Sequence, residues 1–319
     1  MLINFGYVAM SAILKDCSPS KTITVKNLAK IETEEARRFR LGTLARTNLQ
    51  NTRRLFLHNS AHDIKVFRLT SKLIPLATHP ISTNWNWLKE LEAELKSLGD
   101  YAKAHSFRIS AHPDHFTLLN SPQKTVTDAS LRDLEYHHQI FTGMGLGSEA
   151  KLVLHVGGCY KNKNESIARF IENFNKLPPP IKKKIVLEND DKIYTVRDVL
   201  KICRSEGIPM VLDIHHHWCN NEEDDIADYL PDIFATWNHE SLPPKIHLSS
   251  PKDLKHFRSH ADQIDLAFFL DFLKLAKKFD IDFDVMVEAK SKDAALLKLL
   301  KELKAVPGIY FINNASIEI

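Results

Sequence analysis

Eight short apolar stretches, each followed by a stretch with helical spacing, constrain the fold of this 319-residue chain more than any other feature. Val, Ile, Leu and Phe dominate the apolar stretches, which is typical of strands buried on both faces of a parallel sheet. The predicted strands are residues 3–8, 65–69, 107–111, 152–156, 184–187, 210–214, 245–248 and 284–287. The predicted helices are residues 33–57, 84–104, 125–144, 165–177, 195–206, 223–234, 263–279 and 292–303.

The alternation of eight strands with eight helices predicts an α/β protein, a (β/α)8 TIM barrel formed by residues 1–319 as a single domain. A doubly wound open sheet is the competing architecture, because eight strands do not by themselves prove that a sheet closes. No internal repeat, low-complexity run or long linker divides the chain. The glycines of residues 143–147 follow a helix and precede a strand, which indicates a helix end rather than a dinucleotide-binding loop.

The composition is that of an ordinary globular protein, which excludes disorder, collagen-like repeats and a coiled coil as the main organisation of the chain. The 43 basic and 40 acidic residues give a formal charge of +3, which supports nucleic-acid binding only weakly. The longest uncharged stretch, residues 1–14, is too short to span a bilayer, and nothing indicates an obligate protein partner. The four cysteines form no CxxC pair, so we expect reduced thiols in a cytoplasmic protein. Sixteen histidines against ten glycines favour metal or acid–base chemistry over a glycine-rich phosphate loop.

Polar residues follow nearly every predicted strand, at the end where a parallel barrel carries its active site. A single histidine there is more often a structural residue. So many imidazoles and carboxylates at one rim, however, are costly to bury unless they are paired or bind metal. The residues delivered to this rim are His79, His112, His155, Glu188, Asp213, His215–His217, Lys245, His247, His260 and Glu288.

This set of side chains predicts a site for several metal ions. Imidazoles and carboxylates without cysteine suit Mn, Zn or Fe, and about five imidazoles with three carboxylates fit two or three ions better than one. Clustered divalent ions favour phosphoryl chemistry, because they activate water and neutralise charge on the attacking and leaving oxygens.

Eight strings of residues then identify a family. In order, the chain contains PLATHP, AHPDHF, LVLHVGG, VLENDD, VLDIHHH, PKIHLSSP, RSHAD and VMVEAK. Together they resemble the UV damage endonuclease family, over nearly the whole chain from Gly6 to Lys290. The resemblance implies a TIM barrel similar to endonuclease IV, with up to three metals, usually Mn²⁺ although Zn²⁺ also fits. It further implies nicking of damaged double-stranded DNA immediately 5′ to UV photoproducts, and action at abasic sites.

The resemblance also implies roles for individual residues. Glu188 would be a bridging carboxylate and, with Lys245 and His247, part of the catalytic group. Lys245 matches a lysine that is N6-carboxylated in the family, although an ordinary barrel lysine paired with a carboxylate is the simpler interpretation of the sequence. The metal ligands would be His79, His112, His155, Glu188, Asp213, His216, His247, His260 and Glu288.

Contacts to the DNA lesion follow from the same resemblance. Tyr7 matches a tyrosine of the damage pocket, although a core aromatic is an equally good interpretation, and Ser11 stands near the place of a pocket Asn. After the third strand the family commonly has Gln and an aromatic residue that enter the duplex opposite the lesion. Here that pair is His115 and Phe116. Phe116 retains the ability to wedge and stack, whereas His115 departs from the family pattern.

Basic residues provide further candidates for DNA contact, although solvated surface is the more common role of each. Lys161 and Lys163 are the best candidates, because they follow the fourth strand on the predicted metal side. The main alternative function is a metal-dependent sugar isomerase or another TIM-barrel metalloenzyme, but isomerase sites are dominated by carboxylates. An amidohydrolase would need a His-x-His on the first strand, which has no histidine. A barrel that binds DNA without catalysis would lack some ligands, and none is missing.

Overall fold

The barrel is closed. The structure, a computed structural model, describes residues 1–319. Its barrel strands follow one another around the ring in chain order, and β1 pairs with both β8 and β2, so the open-sheet alternative is excluded. All eight pairings are parallel. The strands are β1 Leu2–Val8, β2 Val66–Leu69, β3 Arg108–Ala111, β4 Lys151–His155, β5 Ile185–Glu188, β6 Met210–Asp213, β7 Lys245–Leu248 and β8 Phe283–Val287.

The eight predicted helices follow the strands, two of them with differences in detail, and three short helices that the sequence did not predict lie at residues 25–29, 179–182 and 214–219. The predicted helix 84–104 is two helices, and residues 223–234 form a 3₁₀ turn and a short helix that begins around Pro231, as proline at a first turn favours. None of the helices combines the length and apolar character that a membrane crossing needs. The α-helices are α1 Val25–Ala29, α2 Glu34–Ala61, α3 Trp87–Glu90, α4 Glu92–Ala104, α5 Lys124–Gly143, α6 Lys163–Asn175, α7 Pro179–Lys182, α8 Val196–Glu206, α9 Ile214–Cys219, α10 Leu230–Ala235, α11 Leu266–Ala276 and α12 Lys292–Leu303.

A C-terminal hairpin adds two strands that the sequence did not predict, β9 Tyr310–Asn313 and β10 Ser316–Glu318. Strand β10 pairs antiparallel with the first residues of β1, so the hairpin lies at the end of the barrel opposite the predicted site. The close approach of β1 to β2 requires glycine at residue 6, because a Cβ there would lie 1.8 Å from the carbonyl oxygen of Val66.

The interior of the barrel is more polar than the layer between sheet and helices. Most buried apolar side chains form one cluster between strands and helices, whereas Val153, Val186, Val211 and Trp237 form a separate small cluster. The three valines lie two residues before the strand-end polar residues of β4, β5 and β6, and alternate residues of a strand face the same way. The same alternation therefore points the strand-end residues of these strands into the mouth of the barrel.

Candidate metal centre

Glu188, at the end of β5, lies at the centre of the mouth and is fully buried. Its Oε1 lies 2.7 Å from Nδ1 of His247. Its Oε2 lies 3.2 Å from Nε2 of His112 and 3.6 Å from Nε2 of His155. One carboxylate therefore faces imidazoles delivered by three other strands.

Three groups of side chains have ligand atoms close enough to hold a metal ion, and Glu188 belongs to all three. Within each group the ligand atoms lie within 4.8 Å of one another. A carboxylate shared in this way fits a cluster of ions better than separate sites. The groups are His112, His155 and Glu188; Glu188, Asp213 and His216; and Glu188, His247 and Glu288.

One ligand atom in these groups, Oδ2 of Asp213, is buried and has no hydrogen-bond partner. It belongs to the group that also contains Glu188 and His216. Buried polar atoms without a partner are rare in proteins and costly, and a bound cation supplies a partner to such an atom. The residues present therefore fit a group of divalent cations.

The turn after β6 places His216 against this centre. The side chain of Asp213 caps α9 by accepting the backbone N–H of His216 at 2.8 Å. The side chain of Asn189 donates to the backbone oxygen of Asp213 and accepts from the backbone N–H of the same residue, which fixes the backbone at Asp213. The ring of His260, from the loop after β7, lies 6.2 Å from the ring of His216, so His260 is brought beside the cluster.

The charges of the centre favour ionised carboxylates. Burial opposes ionisation of Glu188, but the facing imidazoles of His247 and His155 outweigh burial and hold its pKa well below the usual range. Burial would also lower the pKa of His216, but three nearby carboxylates, led by Asp213, raise it to about 9. An anionic cluster that attracts protons in this way also attracts metal cations.

A layer of charged side chains supports the centre from inside the barrel. Arg68 of β2 donates from Nη1 to Oε1 of Glu288 at 2.6 Å, and both side chains are largely buried. Below them, Arg108 pairs with Asp284 at 2.6 Å. The sequence reasoning missed these two arginines. For Arg108 the available signal was its place on the same side of the strand as His112, four residues later at the end of β3. Strand β2 has no ligand at its end that could have given a signal of this kind for Arg68.

Lys245 lies in this layer without a carboxylate partner. Its Nζ lies 3.2 Å from the hydroxyl of Ser110 and makes no ion pair, since Asp284 is engaged by Arg108. Burial, reinforced by Arg108 and Arg68, lowers the pKa of Lys245 well below its usual value. The interpretation that a carboxylate neutralises this lysine was therefore wrong.

Comparison with known proteins identifies the family of this chain. A sequence profile described as UV-endonuclease UvdE matches residues 3–319. The chain belongs to the UvdE family. It is 43% identical over 318 residues to a UV DNA damage endonuclease of Bacillus cereus strain B4264, and the match covers 100% of both chains. A solved structure, SacUVDE, has 34% identity and a TM-score of 0.82 over 95% of this chain and 100% of its own.

Similarity to more distant barrels shows the fold alone. The 3-keto-D-glucoside 4-epimerase YcjR from E. coli has 12% identity and a TM-score of 0.55, covering 95% of this chain and 100% of its own. Its similarity therefore gives no support to the sugar isomerase alternative for this UvdE-family chain.

His79 is the predicted ligand that the structure does not bring to the centre. It lies ten residues beyond β2, is exposed, and accepts the N–H of Ile81 with its Nδ1 at the start of a short 3₁₀ turn. It lines an outer groove with Trp87 and Ile181 instead. His79 belongs to none of the three ligand groups, and its role as a metal ligand stays a prediction from the resemblance.

Tyr7 also lies away from the mouth. Its ring packs edge-on against Phe67, and its hydroxyl lies 2.7 Å from Oδ1 of Asn59 on α2, so it points between sheet and helix and is fully buried. This is the core position that the sequence left open. Ser11 lies on the loop after β1, where its hydroxyl and the N–H of Ala12 both bond the buried carboxylate of Asp293.

The loop after β3, residues 112–123, presents His115 and Phe116 to solvent. Phe116 remains 47% exposed, and its ring stands edge-on to that of His115 at 5.9 Å. The hydroxyl of Thr117 bonds Asp133 of α5 at 2.6 Å, which fixes the base of the loop. A groove of about 280 Å³ runs from His115 to the ligands His112, His155 and His216. The exposed aromatic pair and the metal centre therefore share one surface.

The two candidate lysines after β4 differ in their surroundings. Lys161 is exposed, in a left-handed turn with φ of 71°. Lys163 begins α6 and forms an ion pair with Asp198 at 2.5 Å, with the side chain partly buried. Of the two, Lys161 is the one whose charge is free to meet a phosphate.

Proposed function

We propose that this protein is a metal-dependent endonuclease that nicks double-stranded DNA immediately 5′ of UV photoproducts, both cyclobutane pyrimidine dimers and 6-4 photoproducts, and that also acts at abasic sites. Membership of the UvdE family over residues 3–319 supports a UV damage endonuclease acting on DNA. The observation that carries the metal-dependent part is the sharing of Glu188 by three groups of potential ligands.

The ligand residues of these groups, with His260 beside them, would hold two to three divalent ions. Nitrogen and oxygen ligands without thiolate suit Mn²⁺, with Zn²⁺ as the second choice. When bound, such ions activate water and neutralise charge on the attacking and leaving oxygens of a phosphodiester. Glu188 and His247 contribute ligand atoms, and the ion pair of Arg68 with Glu288 fixes the orientation of that carboxylate.

Lys245 would act as an N6-carboxylated residue. Its lowered pKa leaves an amine with a free electron pair, which adds to carbon dioxide by forming an N–C bond and releasing one proton. The resulting carbamate is an anion near Arg68 and Arg108, the same two cations that lower the pKa of the unmodified amine. The charge environment of the barrel interior thus supports this modification.

Recognition of the lesion would rely on poor stacking of the crosslinked bases. Such bases leave the duplex at less than the few kcal/mol that intact bases cost, and this difference gives selectivity. The exposed ring of Phe116 would enter the vacated stack, and His115 would face the opposite bases. Lys161, and more weakly Lys163, would position the phosphate backbone without reading sequence.

The test is nicking of supercoiled plasmid, with and without UV irradiation, in the presence of Mn²⁺. We expect relaxation of the irradiated plasmid only, and loss of the reaction after chelation by EDTA. Mapping of the cut on a duplex with one photoproduct should place it at the phosphodiester on the 5′ side. Equal nicking of both plasmids, or nicking that persists in EDTA, would contradict the proposal.

A further inference from the structure

A second loop at the mouth of the barrel carries an exposed apolar residue. The β7 loop, residues 251–260, starts shortly after His247 and ends at His260. A β-bridge joins Pro251 to His260, and the N–H of Lys252 donates to the oxygen of Ser259 at 2.8 Å. The imidazole of His215 bonds the carbonyl oxygen of Phe257 at 2.7 Å. These bonds attach the loop firmly to the rim that holds the metal ligands.

Leu254 stands at the tip of this loop and is 94% exposed, more than any other large apolar side chain of the chain. The loop does not need Leu254 for its own packing. Its turn is formed instead by Asp253, whose carboxylate accepts the N–H groups of Lys255 and His256 at 2.9 and 2.7 Å. A leucine that is exposed to solvent on an ordered turn can bury its side chain against an apolar surface of another molecule.

The charges around Leu254 favour a polyanion as that molecule. Lys252 and Lys255 flank it and form no ion pair, while Asp253 is occupied by the turn and by the ring of His256. Arg258, further along the loop, lies 3.6 Å from the carboxylate of Asp191 at the rim. An apolar side chain between two free lysines resembles the wedges of DNA-bending proteins, where apolar residues separate bases and basic residues meet phosphates.

The position of the loop in the barrel favours the same partner. Strands β3 and β7 are four places apart in a ring of eight, so their loops face each other across the mouth. Phe116 extends from the β3 loop and Leu254 from the β7 loop. We propose that Leu254 is a second wedge, which enters the damaged duplex from the side opposite Phe116, with Lys252 and Lys255 on the flanking phosphates. This inference rests on the proposed function, because the duplex it names is the substrate of that function.

The test compares single-turnover nicking by the Mn²⁺-loaded protein on two duplexes. Both carry one photoproduct, which is paired in the first and lies in an unpaired bubble in the second. For Leu254→Ala we expect about a tenfold loss of rate on the paired duplex, which corresponds to about 1.4 kcal/mol, and no loss on the bubble, where the bases are already unstacked. Double replacement of Lys252 and Lys255 by Ala should slow both reactions and reduce their salt dependence.

Ile312→Ala is the matched control, because Ile312 is also an exposed aliphatic residue, at 58%, and lies on β9 at the opposite end of the barrel. It should match the parent on both duplexes. Equal rates for Leu254→Ala and parent on the paired duplex would overturn the inference and leave the endonuclease function standing. Equal loss of rate on both duplexes would also overturn the inference. So would a change in the oligomeric state of Leu254→Ala with no change in its nicking rate. A parent protein that nicks neither duplex would refute the proposed function, and the inference with it.

Discussion

Replacing Glu188 by Gln keeps the size of the side chain and removes the carboxylate common to all three ligand groups. In the parent protein, Oε1 of Glu188 lies 2.7 Å from Nδ1 of His247, and Oε2 lies 3.2 Å from Nε2 of His112. In the variant, one of these positions becomes an amide NH₂, which cannot bind a cation. Each ion that the cluster holds would therefore lose a charged ligand or a bridging atom. Metal ions contribute several kcal/mol of transition-state stabilisation, so we expect the variant to lose about 4 kcal/mol of it. That loss corresponds to a nicking rate about a thousandfold lower.

Thermal unfolding in a titration of Mn²⁺ separates this effect from a change in the protein itself. Ligand present at one hundred times its dissociation constant stabilises a protein by about 2.7 kcal/mol, so the parent should unfold at a higher temperature as Mn²⁺ is added. Glu188→Gln should gain little or nothing. Glu288→Gln is the matched control, because it makes the same chemical change in only one of the three groups and should keep part of the gain. Parental Mn²⁺ stabilisation and nicking in Glu188→Gln would refute the bridging role.

Three further substitutions test other residues of the site and the core. Arg68→Lys should weaken Mn²⁺ binding about 10- to 100-fold in calorimetry, because it loses the charge-assisted contact that orients Glu288; unchanged affinity would contradict that role. Phe116→Ala should reduce the preference for damaged over intact duplex and leave metal content unchanged, and an equal preference would reject the wedge assignment. Burial lowers the pKa of His137 more than Asp133 raises it. The unfolded chain therefore takes up an extra proton below about pH 6.5, and stability falls there by up to about 1.4 kcal/mol per pH unit. His137→Gln should flatten this slope in urea unfolding at pH 7 and 5.5, and an unchanged slope would refute the assignment.

The strands were predictable because strands of a parallel sheet are largely apolar. Their closure into a barrel was decided by the structure, since eight strands do not by themselves prove that a sheet closes. The predicted start of β7 was confirmed to the residue, and the strand-end positions of Glu188, Asp213 and Glu288 followed from the apolar stretches alone. The helices were less well bounded, since residues 84–104 contain an interruption at Leu91 that spacing does not show. The C-terminal hairpin was missed because its two strands are short and every side chain of β9 is at least partly exposed, so the sequence shows no continuous apolar stretch there.

The candidate site was predictable where a ligand leaves a strand directly and uncertain where a long loop intervenes. His112 and His155 lie at the ends of β3 and β4, and the structure brings both to Glu188. His79 lies ten residues past β2, and no sequence pattern fixes the direction of such a loop. Tyr7 was ambiguous for a related reason, because a single residue at a strand end can face either the mouth or the surrounding helices.

The charged layer below the centre was the least predictable part. Arg68 and Arg108 sit within short apolar strands, and a sequence does not show which carboxylate each will meet across the barrel. Their partners, Glu288 and Asp284, are more than 170 residues away in the chain. The absence of a carboxylate beside Lys245 follows from these pairings and could be seen only once they were known.

Anomalous diffraction from crystals grown with Mn²⁺ tests the shared metal centre most directly. We expect at least two peaks in the mouth of the barrel, each within bonding distance of the ligands of one group, with Glu188 bridging between them. A single peak that Glu188 does not contact, or peaks only at the protein surface, would contradict the shared centre.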